Sequence, residues 1–209
     1  MAYRETERTR SRKERIRQSI LDAARTLISE KGFRETSIAD IAEKAGIATG
    51  SVYRYFTSKA ELCAEVFRMA SQREVDQVQA ACTGPGTETD QLRAAIHCFA
   101  RRALKGRRMA YALIAEPIDP LVDADRLHYR QKYADVFEDL ILRGQASGRF
   151  HQVDAKVAAA ALVGALAEAL VGPLAQRLSE GEGAETGLSD EAVVTAMEQF
   201  GINALVKTT

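Results

Sequence analysis

Thr49, Gly50, Ser51, Tyr53 and Tyr55 gather four hydroxyl groups around one glycine within seven residues, and Lys59 follows closely. On a helix, Thr49 and Tyr53 share one face and Gly50 and Arg54 the next. The result is a helix front of hydroxyls, one positive charge and bare backbone. Such a face suits a phosphate-lined groove better than bond-making chemistry.

The elements that must carry this face are written just upstream. Ile38, Ile41, Ala42 and Ala45 recur at helical spacing, while Asp40, Glu43 and Lys44 fall on the wet side. Thr36 and Ser37 are good cap residues at the front of this helix, and Gly46 can take the left-handed conformation of a sharp turn at its end. Beyond the turn, Ile47, Val52 and Phe56 supply apolar positions that pack a second helix across the first. Ser58 then caps a third helix that begins near Lys59. Thr36 to Leu62 has the outline of a helix-turn-helix.

Residues 12 to 62 resemble the DNA-binding domain of the TetR family of transcriptional repressors. The resemblance rests on Gly32-Phe33, Thr36-Ser37 with Ile41-Ala42, Ala45-Gly46-Ile47, the run Thr49-Gly50-Ser51-Val52-Tyr53-Arg54-Tyr55-Phe56, and Lys59 with Leu62. The Tyr-x-Tyr-Phe and the following lysine make the match specific, since many packed helix pairs carry an alanine and a glycine at this spacing. It implies that Ser37 and Lys59 contact phosphate, that Thr49, Gly50 and Ser51 read bases, and that Tyr53 and Tyr55 anchor the DNA backbone. Periodicity does not put both tyrosines on one face, so Tyr55 rests on the resemblance more than Tyr53 does. Ile38 departs from the polar residue often found there and reads as core.

Composition agrees once the chain is divided. The whole has zero net charge, but residues 1 to 60 hold 13 Lys plus Arg against 8 Asp plus Glu, and residues 61 to 209 hold 16 against 21. The basic part is the part with the motif. Arg4, Arg8, Arg10, Arg12, Lys13, Arg15 and Arg17 precede the first apolar helix, as a solvated terminus or as a basic arm along the DNA. The first thirty residues are too polar for a signal peptide, and Cys63, Cys82 and Cys98 have no metal-type spacing; both fit a cytoplasmic chain with reduced thiols.

Past Leu62 the pattern is all helix. Helices are expected from Lys59 to about Cys82, Thr87 to Lys105, Met109 to Ala115, Asp123 to Ser147, Val153 to about Leu178 and Ser189 to Val206, with Pro117 and Pro120 stopping the third of these. The segment Val157–Ala175 is nearly long enough to span a bilayer. It is rich in alanine and glycine, holds Glu168 and contains Pro173, which is expected to break it, so it reads as a buried helix and no membrane partner is expected. Ala161, Gly164, Ala165, Glu168 and Gly172 form a narrow small-residue strip. Val193, Met197, Phe200 and Ala204 form a stripe on the last helix. One face of each pair can serve the core and the other a second subunit.

The expected fold class is therefore all-α: a three-helix helix-turn-helix domain over residues 11–60 and a larger helical ligand-binding and dimerisation domain over residues 61–209. The resemblance implies a homodimer on a near-palindromic operator in double-stranded DNA, released by a small-molecule effector, with the helix from Lys59 as the lever between cavity and DNA. An architectural DNA-binding protein without a ligand is the rival reading, and the extra middle helices argue against it. Candidate cavity residues are His97, Phe99, Arg101, Tyr111, Glu116, His128, Tyr129, Tyr133 and Glu168, which put polar or aromatic groups on otherwise apolar helices. No Gly-rich phosphate loop, H-E-x-x-H, G-x-S-x-G or paired-cysteine motif occurs, so neither catalysis, a metal nor a cofactor is expected.

Overall fold

In the computed structural model, the backbone is described for residues 7–179 and 188–207, and side chains for residues 10–175 and 188–207. The described residues form nine helices: α1 (Glu7–Glu35), α2 (Ile38–Lys44), α3 (Thr49–Val52), α4 (Lys59–Cys82), α5 (Glu88–Lys105), α6 (Arg107–Ile114), α7 (Pro120–Ala146), α8 (Ala155–Ser179) and α9 (Asp190–Leu205). Arg4 of the basic arm, the Arg8 side chain and most of the segment before α9 lie outside the described residues.

Local chemistry sets most of these boundaries. Ser37 accepts from the Asp40 amide at 3.1 Å, and the Asp40 carboxylate accepts from the Ser37 amide at 3.1 Å, a reciprocal capping box at the start of α2. Thr36 is no part of that cap: it is fully buried, and its hydroxyl donates to the Gly32 carbonyl at 2.7 Å. Gly46, at φ +68°, turns the chain from α2 to α3. Ser58 caps α4 by accepting from the Glu61 amide at 3.1 Å.

Three sequence expectations change. Pro120 starts a helix instead of only ending one, because Asp119 caps the Leu121 amide at 2.9 Å and proline needs no donor in the first turn. Pro173 sits inside α8 without ending it. The acceptor left without a proline amide is the carbonyl of Ala169, an exposed residue, while Leu170 and Leu174 on the other face are fully buried and hold the helix down. The stripe expected on α9 also divides: Val193 and Met197 are buried beside Val194, Gly201 and Leu205, whereas Phe200 and Ala204 face outward.

Two hydrophobic cores organise the chain. The first packs Ile20, Ile28, Phe33, Ile41, Val52 and Phe56 against Leu62, Phe67 and Val75 of α4, and reaches Ala112, Val122 and Tyr129 in α6 and α7. The second joins α5, α7, α8 and α9 around Leu92, Ile96, Phe137, Phe150, Leu162 and Leu166. Helix α4 has side chains in both, from Leu62 in the first to Val78 in the second. Burial of this kind, at about 25 cal/mol per Å² of apolar surface, is the main force fixing α4 between the two ends.

Candidate DNA-binding face and effector cavity

The helix-turn-helix presents its polar front to solvent. Ser37, Thr49, Gly50, Tyr53 and Arg54 are exposed, with Tyr53 at 53% exposure despite its ring; Ser51 is half-buried. The protomer's own packing does not account for a large aromatic left so open. Gly50 is equally unexplained by the fold, because a β-carbon there would meet nothing within 4 Å and its backbone is ordinary helix. Helix α3 is only four residues, then tightens into turns in which the Tyr55 amide donates to Val52 at 2.9 Å. That tightening rolls the Tyr55 ring partly onto the first core, so it leans on the scaffold more than Tyr53 does. Lys59 is half-buried at the start of α4, and its ammonium donates to the Arg34 carbonyl at 3.3 Å.

Beneath this face, the interface between α1, α2 and α4 is held by charge. Asp40 accepts from the Lys31 ammonium at 2.5 Å as well as from the Ser37 amide, and these bonds hold its carboxyl down at about 2. Arg17 pairs with Glu65 of α4 and lies over the Phe56 ring at 5.2 Å.

A cavity of about 150 Å³ that opens to solvent lies between α4, α5, α6, α7 and α8. Phe67, Val78, Met109, Leu113, Ile114 and Val163 make it largely apolar. Three of the candidate residues line it: Phe99, Tyr129 and Tyr133. Phe99 and Tyr133 meet edge to face with centroids 5.4 Å apart, and burial pushes the Tyr133 phenol well above its usual range, so it stays a neutral donor.

The other six candidates are off the cavity wall. His97 is half-exposed and contacts Glu198 at 2.8 Å, and Arg101 pairs with Glu191, so both tie α5 to α9. Tyr111 packs against the second core. His128 is exposed on α7, and Glu168 faces solvent on α8. Glu116 turns the opposite way, toward α1. For the five on helices, the helix face, set by packing of its neighbours, overrides the residue type.

Sequence reasoning missed the cavity's charged groups. Glu74 of α4 binds Arg102 of α5 through two bonds of 2.5 and 2.8 Å, and this contact raises the already high Arg102 pKa further. Arg126 of α7 lines the cavity and stands over the Phe67 ring at 5.9 Å. Arg130 is exposed at the edge. No local signal joins Glu74 to Arg102 across 28 residues. Among the described residues there is no group of His, Cys, Asp or Glu able to hold a metal ion.

Residues 20–66 match the family model "Bacterial regulatory proteins, tetR family", and residues 85–170 match "Tetracyclin repressor-like, C-terminal domain". The chain is 29% identical over 130 residues to the HTH-type transcriptional repressor KstR2 of Rhodococcus jostii (strain RHA1), covering 59% of this chain and 60% of that protein. A transcriptional regulator of the TetR/AcrR family from Thermobifida fusca superposes with a TM-score of 0.67 at 25% identity, over 90% of this chain and 96% of that one. The transcriptional regulator FadR from Bacillus subtilis, solved in complex with stearoyl-CoA, shares the fold with a TM-score of 0.72 at 17% identity, over 90% and 98%.

Proposed function

The chain belongs to the tetR family of bacterial regulatory proteins, a family of transcription regulators and not of enzymes, and we propose that it is a repressor released from DNA by a small-molecule effector. The observation that carries this is the position of α4. One helix bears Lys59 and the Ser58 cap at the DNA end and lines the cavity with Phe67, Ser71, Glu74 and Val78 farther along. A molecule that wedges the cavity open therefore acts on the element that ends at the recognition face.

The DNA-facing set is Ser37, Thr49, Gly50, Ser51, Tyr53 and Lys59, with Tyr55 as a secondary anchor. The effector has a long apolar body, matched to the apolar walls, and a polar end met by Tyr133, Arg126 or the Glu74–Arg102 pair. The stearoyl-CoA held by the Bacillus subtilis FadR structure is of this shape and supplies the first probe.

The working unit is a cytoplasmic homodimer on a near-palindromic operator. Along α8, Val157, Ala161, Gly164, Glu168 and Gly172 are exposed on one stripe, and Phe200 of α9 is 53% exposed. A stripe that is mostly small and apolar, with Glu168 its one charge, supports close packing against a second copy, which sets two recognition helices about one DNA turn apart. This face also accounts for the apolar composition of α8 without a membrane.

The test is a gel shift on DNA flanking the protein's own gene, repeated with stearoyl-CoA and with shorter acyl-CoAs. Retardation that one of these abolishes, with a two-fold symmetric footprint, is the expected result. DNA binding insensitive to every compound that stabilises the fold overturns the effector-release reading.

A further inference from the structure

The end of α6 is an incomplete helix terminus completed from elsewhere. Leu113 has Pro117 four residues ahead, so its carbonyl has no helical donor. Arg126 supplies one: its Nε donates to the Leu113 carbonyl at 3.0 Å, and one Nη donates to the Glu116 carbonyl at 2.7 Å. The other Nη binds Asp123 at 2.5 Å. Arg126 also lines the cavity, so the clamp on α6 is built from a cavity wall.

Glu116, whose carbonyl this arginine holds, points its carboxylate at the helix-turn-helix. It accepts from the Phe33 amide at 3.3 Å and the Arg34 amide at 3.0 Å. Those amides are free because Gly32, at φ 85° and ψ 172°, interrupts α1 just before them. The glycine also makes room, since a β-carbon there would lie 3.2 Å from a Glu116 carboxylate oxygen. The Arg34 carbonyl, in turn, accepts from Lys59. Charge-assisted bonds, linked covalently through Glu116 and Arg34 themselves, thus run from the cavity to the front of α4.

We propose that Arg126 and Glu116 are positioning residues that transmit the state of the cavity to the helix-turn-helix through α6, separately from α4. A cavity occupant that draws the guanidinium off the α6 carbonyls frees the 113–117 turn. The carboxylate then withdraws from the 33–34 amides. The regulatory half of this proposal rests on the repressor reading; the mechanical half does not.

The closing experiment is amide hydrogen exchange on the full chain without DNA or effector, in Glu116→Ala, Glu116→Gln, Arg126→Ala, Arg126→Lys and the Glu116→Ala/Arg126→Ala double variant. Glu116→Ala is expected to speed exchange at Phe33 and Arg34 by about tenfold or more, the scale of a hydrogen bond to a charged group. Arg126→Ala should accelerate the same two amides, although it touches neither, and the double variant should go no further than the larger single one. Arg126→Lys and Glu116→Gln keep the charge or the acceptor and should fall between, which also covers any failure of the alanine variants to fold. Unchanged exchange at residues 33 and 34 in both Arg126 variants overturns the relay. So does equal acceleration of the Leu92 and Ile96 amides in α5, which marks general loosening.

A gel shift on the flanking DNA completes the test. An operator affinity altered about tenfold by Glu116→Gln or Glu116→Ala supports the regulatory half. Unaltered affinity alongside faster exchange overturns it. Wild-type protein that retards no such DNA refutes the repressor reading instead, leaving the exchange result to decide the mechanical relay.

Discussion

Asp40 shows how much one side chain contributes to presenting the proposed DNA face, because its carboxylate closes the α2 capping box and holds Lys31 of α1. Its pKa is depressed to about 2 by the Lys31 bond first and the Ser37 bonds second. A depressed carboxylate adds stability above the unfolded value, about 4 for aspartate, and that contribution fades as pH falls through about 2. Thermal midpoints recorded from pH 5 to pH 2 should therefore drop less steeply in Asp40→Asn than in wild type. Gly50 makes a sharper separation of fold from function. Alanine fits its space and its helical backbone, so Gly50→Ala should stabilise the fold by about 0.5–1 kcal/mol in denaturant melts. It should at the same time weaken operator binding if, as proposed, DNA approaches Gly50 closely; equal or tighter binding counts against a DNA contact there. Burial raises the thiols of Cys63 and Cys82 to about 11 and 12, while half-buried Cys98 is raised by partial burial. A thiol reagent at pH 8 should modify Cys98 first and reach the other two only on unfolding.

Among the elements, the contact between α7 and the chain that follows it depends on one missing β-carbon. At Gly144 such an atom would lie 2.4 Å from the fully buried Phe150 ring, which has nowhere to go. Gly144→Ala should cost about 1–3 kcal/mol, the usual range for overpacking. At Gly201 the nearest atom is the Ile96 Cδ1 at 2.3 Å, the tip of a side chain that can rotate, so Gly201→Ala should be the milder of the two. Paired denaturant melts test the ranking. Helix bounds were legible in sequence to within about three residues wherever a cap or breaker marked them, as at Ser58, Thr87 and Gly148. They were misread where a proline's effect depended on its surroundings. Pro173 is tolerated where the acceptor it orphans belongs to the exposed residue Ala169, and sequence does not say which residues of α8 are exposed.

For the whole molecule, the proposed dimer gives the clearest expectation. Gly164 is exposed, and a β-carbon there meets nothing within 4 Å of its own chain. Gly164→Leu should leave the protomer's helix content unchanged while shifting sedimentation toward monomer at micromolar concentration. An unaltered dimer would place the interface elsewhere. Charge is divided at the same scale: the basic excess lies in residues 1–60 and the acidic excess in residues 61–209. That division orients the chain on a phosphate surface even though its net charge is zero.

The sequence by itself determined the all-α class, the helix-turn-helix and the polar front of α3, because caps, glycine turns and apolar periodicity act over a few residues. It named nine cavity candidates, of which Phe99, Tyr129 and Tyr133 line the cavity, and placed the small-residue strip of α8 on one face. Only tertiary structure decided which of the remaining polar side chains meet. Glu74 with Arg102, Arg126 with the α6 carbonyls, and Glu116 with the amides behind Gly32 join residues 10 to 83 positions apart. Such contacts depend on the rotation of each helix about its axis, which is fixed by how the two cores fill space and leaves no periodic trace in the chain.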